Sequence, residues 1–373
     1  MALPNIEDFI FLKLLLSVEG IGPGKVLSLL SKFKTPKEIF STDFQSLTQV
    51  DFISHVLANR ILKSTDKLPS IEQAVNIELE KVNKLSAGIL TYWDNDYPEL
   101  LRKIYLPPLI LYTMGNFTDT DKFSIAVVGT RLPTNYGKSQ AEKFSSELAK
   151  QNIVIVSGLA RGIDSIAHKS TLKTGGRTIA VVGSGLDIIY PYENKKLFAE
   201  IIENGVVISE YEPGTKPDAQ NFPKRNRIIS GLALGTIIIE TGINGGAMQT
   251  AAYALDQNRE VFAIPGNLGI KQSEGTNILI QKGEAKLVRE PEDVLIELEL
   301  KLKPVIGKTI PKPDYELNLF EEKIVDVLNS DQLHIDDIAT RTSLSTADCL
   351  VHLLSLEFKG VVKQLPGKLF MRI

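Results

Sequence analysis

Small and basic residues follow several short apolar runs in the middle of the chain, and this combination suits phosphate binding. Gly129-Thr130-Arg131 follows one run, and the segment from Ser157 to Gly162 follows the next. Small residues let backbone amides approach a ligand, and the N-termini of the helices that follow add partial positive charge. The other residues predicted to contribute are Gly158, Ala160 and Gly162, the basic cluster of Lys224, Arg225 and Arg227, and Gly245 and Gly246.

An aromatic residue beside the basic cluster indicates which phosphate ligand to expect. Phe222 stands two residues before Lys224, in a segment interpreted as a loop. Stacking of an unpaired base on an aromatic ring contributes ~1–3 kcal/mol, and neighbouring cations neutralise the phosphates. The pattern therefore favours single-stranded nucleic acid. In the alternative interpretation, Phe222 is buried and packs its own loop.

The common nucleotide-binding motifs are incomplete in this chain. Gly183-Ser184-Gly185 supplies only two glycines of a G-x-G-x-x-G fingerprint, and Gly24-Lys25 precedes a valine where a P-loop has serine or threonine. Cys349 is the single cysteine, and the histidines are scattered. Metal sites need several such ligands close together. We therefore expect neither a cofactor nor a metal ion.

Acidic residues at strand ends leave an enzyme open as an alternative. Asp164, Asp187 and Glu240 could act in general acid–base chemistry. A Rossmann-like enzyme of the nucleotide-phosphoribohydrolase type would use such a carboxylate, but the P-G-G-x-G-T-x-x-E signature of that group is absent. We expect structural roles instead. Asp164 would cap a helix or pair with Arg161, and Glu240 would pair with an arginine of residues 225–227.

The elements that must position these residues alternate along the chain. Apolar, β-branched runs at 124–128, 153–156 and 178–182 are separated by helical stretches at 137–150 and 163–172. Such alternation is typical of a parallel sheet covered on both faces. We predict an α/β fold, an open doubly wound parallel sheet spanning residues 85–300. Ligands bind such sheets at the carboxyl ends of the strands, near a topological switch point.

Two smaller domains are predicted to flank this core. Residues 1–84 read as helices around the turn Gly20–Gly24, either a phosphate-gripping helix-hairpin-helix or a bundle that binds nothing. A proline-containing linker at 301–313 leads to residues 314–373, which have a winged-helix outline. Acids outnumber bases in that last segment, so we expect a protein-contact or regulatory module there and not the DNA reader.

Composition limits the class of protein. The 373 residues carry a net charge of −3, so any phosphate site must come from local clustering. The N-terminus lacks the basic start of a signal peptide, and no run approaches the ~18 apolar residues of a membrane span. We expect a cytoplasmic protein.

Five stretches give the chain a resemblance to the DprA/Smf family of DNA-processing proteins. They are VVGTR at 127–131, SGLARGIDSIAH at 157–168, FPKRNRIISGL at 222–232, REVFAIPG at 259–266 and GTNILIQKGEAKLV at 275–288. The resemblance implies an extended Rossmann-like core with an N-terminal helical domain and a C-terminal winged helix. It also implies a homodimer that binds single-stranded DNA, is not an enzyme, and loads the bacterial recombinase RecA during natural transformation.

The same resemblance implies roles for individual residues. The family's Gly-Ser-Arg motif falls on Gly129-Thr130-Arg131. This match implies that Arg131 binds a phosphate of the DNA. Its F-x-x-R-N-R pattern falls on Phe222, Arg225, Asn226 and Arg227. One departure is that Asn244-Gly245-Gly246-Ala247-Met248 stands where the family shows serine-glycine-serine. The amides of Gly245 and Gly246 are expected to replace the missing hydroxyl groups.

Overall fold

A computed structural model describes residues 5–302, 317–328, 333–358, 361–365 and 369–372. The chain divides into two compact units, Met1–Leu300 and Lys301–Ile373. No helix in the described residues is long and apolar enough to cross a membrane. The predicted linker lies outside the described residues from position 303 onward.

The first unit begins with helices that pair through tight turns. Gly20 adopts a φ of +90° between the first two helices, and Gly22 and Pro23 start the second one. Phe52 takes a φ of +66° in the corresponding turn between the fourth and fifth helices. The two turns give a tandem helix-hairpin-helix arrangement. The helices are α1 (Ile6–Leu16), α2 (Pro23–Lys32), α3 (Pro36–Ser41), α4 (Phe44–Thr48), α5 (His55–Lys63) and α6 (Leu68–Lys84).

A nine-stranded sheet forms the centre of this unit, in the order β1-β2-β6-β5-β4-β3-β7-β8-β9. Strands β3 to β9 pair in parallel, whereas β2 is antiparallel to both β1 and β6. The strands are β1 (Gly88–Thr91), β2 (Ile110–Gly115), β3 (Ser124–Val128), β4 (Val154–Ser157), β5 (Thr178–Val182), β6 (Gly205–Ser209), β7 (Gly235–Ile238), β8 (Glu260–Ala263) and β9 (Lys286–Leu287).

Helices cover the sheet, and the alternation of side chains along each strand supplies two cores. On β5, Ala180 and Val182 join the cluster that includes the N-terminal helices, whereas Ile179 and Val181 join a second cluster with Ile228. The covering helices are α7 (Glu99–Arg102), α8 (Asn135–Lys150), α9 (Ile163–Lys173), α10 (Lys195–Asn204), α11 (Asn221–Leu232), α12 (Gly246–Asp256), α13 (Glu274–Gln281) and α14 (Pro291–Leu302).

The strand order creates a switch point beside β3. The chain moves from β3 through β4 and β5 to β6 on one side, and then returns to place β7 on the other side. The loops after β3 and β7 therefore diverge and leave a crevice at the carboxyl edge. The fold is the predicted doubly wound sheet, extended by the antiparallel strands β1 and β2.

The second unit is a winged helix. Its core includes Ile324, Ile338, Leu353 and Phe370. The predicted wing turn at Pro366-Gly367 lies outside the described residues. The elements are α15 (Leu319–Val327), β10 (Leu333–His334), α16 (Ile335–Thr342), α17 (Thr346–Phe358), β11 (Val362–Leu365) and β12 (Leu369–Arg372), with strand order β10-β12-β11.

Candidate nucleic-acid interface

Arg131 stands at the switch point, in the loop that follows β3. The amide of Thr130 donates to the carbonyl oxygen of Glu240 at 2.7 Å, which ties this loop to the end of β7. The Thr130 hydroxyl accepts a bond from the amide of Leu132 at 3.2 Å. The loop is thereby fixed, whereas the Arg131 side chain is exposed. Its guanidinium carbon lies 5.7 Å from the centroid of the Phe222 ring.

Phe222 lies in the first turn of α11, and the prediction that residues 222–231 form a loop is wrong. Pro223 is tolerated there because the first turn of a helix needs no amide donor at that position. Ile228, Ile229 and Leu232 are buried along one side and anchor the helix to the sheet. The position of the helix leaves the Phe222 ring half-buried at its N-terminal end.

A small cleft surrounds the Phe222 ring. The Tyr190 ring lies 5.4 Å from it at an angle of 39°. Gly183 makes room on another side, since a Cβ there would lie 3.1 Å from Phe222 Cδ1. The remaining lining includes Arg131, Gly158, Ala160, Arg161 and Arg225. The cleft therefore combines two aromatic rings with cationic groups. Sequence reasoning missed Tyr190, whose only signal is an aromatic residue beside Pro191 in the loop after β5.

Arg225 is only 4% exposed and forms the floor of this cleft. Its Nη1 donates to the carbonyl oxygen of Gly158 at 2.7 Å and to that of Val181. Burial lowers the pKa of Arg225 to about 10, and the nearby Asp164 carboxylate opposes that shift. The side chain is thus engaged in holding the sheet edge, in contrast to its neighbour Lys224, which is exposed.

The loop after β4 uses its amides internally. The amides of Gly158 and Ala160 donate to Asp164 Oδ2 at 3.2 and 3.4 Å. They are therefore not free to donate to a phosphate, contrary to the prediction from the sequence. The Ser157 hydroxyl is buried and donates to the carbonyl oxygen of Val127. Burial raises the pKa of the Asp164 carboxyl, and Arg225 opposes that shift. Asp164 thus binds this loop, and the expected partner Arg161 pairs elsewhere.

Gly162 ends this loop with a φ of +75° at the start of α9. A Cβ there would lie 2.4 Å from the carbonyl oxygen of Thr130, so glycine is required for the two loops to approach each other. The contact continues through the amide of Ile163, which donates to the same carbonyl at 3.2 Å. Gly129 is similarly close to Ile163, with a Cβ position 2.6 Å from its Cγ1. These glycines shape the crevice.

Arg227 and Asn226, the remaining predicted site residues on α11, bind two different neighbouring elements. Arg227 is largely buried and forms an ion pair with Glu210, beyond the end of β6. Asn226 Nδ2 donates to the carbonyl oxygen of Gly246 at 3.4 Å, which ties α11 to the start of α12. Of the predicted cationic contacts, Arg131 and Lys224 therefore have exposed side chains, and of these two only Arg131 lines the cleft.

Gly245 and Gly246 mark the N-terminus of α12. Gly245 is the N-cap residue, and its amide already donates to the carbonyl oxygen of Gly242 at 2.9 Å. Gly246 is exposed, and nothing lies within 4 Å of a Cβ built there. The Gly245 amide is therefore not available to replace the missing hydroxyl groups. The groups that remain for this role are the positive end of the helix and the Gly246 backbone.

The strand-end carboxylates considered for catalysis have structural partners. Glu240 accepts bonds from the amide and hydroxyl of Thr134, at 2.9 and 2.5 Å. The prediction that it pairs with an arginine of residues 225–227 is therefore wrong. Asp187 accepts a bond from the amide of Gly214 at 2.8 Å. These contacts connect the loops to neighbouring elements.

His168 is buried within α9. Its Nδ1 lies 2.7 Å from the Thr178 hydroxyl, which itself donates to the carbonyl oxygen of Ile155. Nδ1 is therefore the donor of this bond. Burial lowers the pKa of His168 to about 3. Within the described residues, no group of three or more histidine, cysteine or acidic side chains could hold a metal ion.

Comparison with family models matches all three parts of the chain. Residues 88–299 match the model of DNA recombination-mediator protein A. Residues 310–368 match the DprA winged helix domain, and residues 12–67 match a SAM-like helix-hairpin-helix tandem.

Curated relatives and solved structures agree with these matches. Protein Smf of Synechocystis is 33% identical and covers 95% of this chain and 96% of its own length. DNA processing protein DprA of Bacillus subtilis is 38% identical, covering 68% of this chain and 83% of its own. The X-ray structure of DprA from Streptococcus pneumoniae is 34% identical with a TM-score of 0.64, covering 80% of this chain and 99% of its own.

A second solved relative is described by its ligand. The structure of DNA processing protein A from Helicobacter pylori is presented as showing a single-stranded DNA binding mode of that protein. It is 34% identical to this chain, with a TM-score of 0.52, and covers 58% of this chain and 96% of its own.

Proposed function

The chain belongs to the DNA recombination-mediator protein A family, the family of DprA and Smf, and we propose that it binds single-stranded DNA at the carboxyl edge of its central sheet. The observation that carries the proposal is the exposed Arg131 guanidinium held beside the Phe222 ring. A fixed cation next to an aromatic face offers a phosphate contact and a stacking surface within one nucleotide's reach. The Helicobacter pylori relative supports the choice of ligand.

The exposure of each side chain indicates its role in the site. Arg131 and Lys224 neutralise phosphates. The cleft has a volume of only about 30 Å³, so a base stacks on the exposed part of the Phe222 ring at the mouth of the cleft and does not enter it. Arg225 and Asp164 hold the cleft in shape from below, and Gly158 and Ala160 line it. Gly129, Thr130, Ser157 and Gly162 fix the two loops that surround it. Asn226 and Arg227 fix α11, and the N-terminus of α12 at Gly245 and Gly246 adds partial positive charge. Binding is sequence-tolerant and salt-sensitive because the contacts are to phosphates and base faces.

The wider role we propose is DNA processing during natural transformation in the cytoplasm. Two chains pair through their cores and load the bacterial recombinase RecA onto the bound strand. The edge strand β9 suits such pairing, since β8 occupies one side of it and Leu287 is 41% exposed. Native mass spectrometry of the wild type and Leu287→Arg tests the pairing. A wild type that is monomeric at micromolar concentration contradicts it.

We propose a binding protein and not an enzyme, because Asp164 and Glu240 are committed to internal hydrogen bonds. An assay with nucleoside monophosphates checks this, and release of the base by the wild type would contradict it.

The experiment that tests DNA binding is fluorescence anisotropy with a labelled oligothymidylate across a salt series. Arg131→Ala is compared with the wild type and with Arg289→Ala, which removes the same charge from an exposed position outside the cleft. We expect Arg131→Ala to weaken binding and to reduce the salt slope by about 0.7, the value for one phosphate contact on a single strand. Unchanged binding by Arg131→Ala would show that the cleft is not the DNA site.

A further inference from the structure

A larger cavity lies next to the Phe222 cleft, between the start of α8 and α9. Arg131, Arg161 and Gly162 belong both to its lining and to the site described above, whereas Lys138, Lys169 and Glu193 line this cavity only. Its volume is about 550 Å³. Arg131 and Arg161 line both this cavity and the Phe222 cleft, so the two meet at these residues. We call the larger cavity the α8–α9 groove. Its charged lining residues are Arg131, Lys138, Arg161, Lys169 and Glu193.

The groove is strongly basic although the chain as a whole is acidic. Four positive side chains against the one negative Glu193 leave a local charge of +3 in a chain of net charge −3. Lys138 and Lys169 are both exposed, and in the part of the chain that the structure describes neither forms an ion pair. Cations concentrated in a concave surface attract a polyanion more strongly than scattered ones.

Arg161 is the exception among these cations. Its Nε and Nη2 donate to the two carboxylate oxygens of Glu193 at 2.8 and 2.9 Å. This pair stands where the groove meets the Phe222 cleft. Glu193 therefore neutralises one cation at the junction, while the charges of Arg131, Lys138 and Lys169 are available to a ligand.

The groove also has an apolar component. Leu132 is 78% exposed beside Arg131, and Pro133 and Ile166 contribute further apolar lining. An exposed leucine among cations suits a ligand with alternating charged and apolar parts. Single-stranded DNA has this character, because phosphates alternate with sugars and unpaired bases. Continuity with the Phe222 cleft favours the same strand over a separate ligand.

We propose that the α8–α9 groove binds the continuation of the single strand whose base stacks on Phe222 at the mouth of the cleft. The strand passes Arg131, and Lys138 and Lys169 neutralise its next phosphates. This inference rests on the proposed function, and it adds a length requirement: the shortest strands contact Phe222 and Arg131 alone, and longer ones also occupy the groove.

The test is a comparison of a short strand, the thymidine dinucleotide, whose single phosphate is matched by Arg131, with a long oligothymidylate of about 16 nucleotides. The double variant Lys138→Ala/Lys169→Ala is measured by anisotropy across a salt series. Its matched control is Lys143→Ala/Lys173→Ala, which removes two exposed lysines from the same helices outside the groove.

We expect the groove variant to bind the short strand like the wild type and the long strand roughly 2- to 30-fold more weakly, as two exposed charge contacts predict. Its salt slope on the long strand should fall by about 1.4, or about 0.7 for each phosphate contact. The control variant should match the wild type on both lengths. Glu193→Gln, which frees Arg161, should tighten binding of the long strand.

Several outcomes overturn the groove proposal while leaving the cleft intact. One is an equal loss on both lengths, and another is an unchanged affinity for the long strand. A third is unchanged DNA binding together with weakened binding of an oligoglutamate peptide by the groove variant, which would assign the groove to an acidic protein partner. If the wild type binds neither length, the proposed function itself fails.

Discussion

Asp164 and Arg225 hold the same residue, Gly158, from its two sides. Asp164 Oδ2 accepts a bond from the Gly158 amide at 3.2 Å, and Arg225 Nη1 donates to the Gly158 carbonyl at 2.7 Å. Both side chains are buried, one on α9 and one on α11. The end of β4 is therefore fixed by two charged groups, Asp164 and Arg225, that lie 61 positions apart in the sequence. This fixation sets the shape of the cleft beneath Phe222.

Gly158→Ala should disrupt this arrangement. An added Cβ would lie 2.5 Å from Arg225 Nη1 and 2.7 Å from Asp164 Oδ2. Because both neighbours are buried, we expect a loss of about 1–3 kcal/mol in the free energy of unfolding and weaker DNA binding. Urea unfolding measures the first effect. Gly246→Ala is the control, since nothing lies within 4 Å of its Cβ position. Equal stability of the two variants would contradict the steric argument.

Arg225→Ala and Arg131→Ala should separate positioning from binding. Removing Arg225 leaves Asp164 buried without its cationic neighbour, so we expect a loss of about 3–5 kcal/mol in the free energy of unfolding. Arg131 is exposed, and its removal should change stability by no more than about 0.5 kcal/mol. Chemical denaturation of both variants checks this. A stable Arg225→Ala protein that has lost DNA binding would instead make Arg225 a direct contact.

Phe222→Leu should reduce affinity for single strands and leave the fold intact. The variant keeps an apolar side chain but loses the stacking face, which contributes about 1–3 kcal/mol per base. Phe222→Tyr should retain binding, and Tyr105→Leu, at a side chain that is 89% exposed away from the cleft, is the control. Anisotropy with matched single-stranded and duplex DNA measures the effect. If the wild type bound both forms equally, the stacking role would be excluded.

His168 should make stability depend on pH. Its pKa is about 3 in the folded chain against an ordinary 6.5, because the buried ring disfavours the charged form. Between about pH 3 and pH 6.5 the unfolded chain is therefore protonated at His168, whereas the folded chain is not. The contribution of the neutral His168 ring to the free energy of unfolding is fully present above about pH 6.5. It decreases as pH falls toward 3, by up to about 1.4 kcal/mol per pH unit.

The measurement is urea unfolding of the wild type and His168→Gln at several pH values in this window. The glutamine can still donate to Thr178 but does not titrate. We expect a steeper loss of stability on acidification for the wild type. Parallel pH profiles would show that His168 is not responsible.

The sequence alone determined the family and the class of fold. The family models confirm the resemblance to DprA/Smf proteins. Periodicity located the parallel strands and most of their helices within a few residues, because each buried strand shows its burial as a continuous β-branched run. The sequence also placed Arg131 at the carboxyl edge, since the loop after a central strand lies there, and its contact with a phosphate stays a prediction.

Only the tertiary structure decided which charged groups face solvent. Lys224 and Arg225 are adjacent, yet one is exposed and the other forms the floor of the cleft, because successive residues of a helix point about 100° apart. The loop predicted for this segment does not specify which of the two side chains is buried. The pairing of β2 with β6, and of Asp164 with loop amides, likewise joins residues distant in sequence. Local patterns predict elements, but the packing of those elements against one another determines which side chains are left for a ligand.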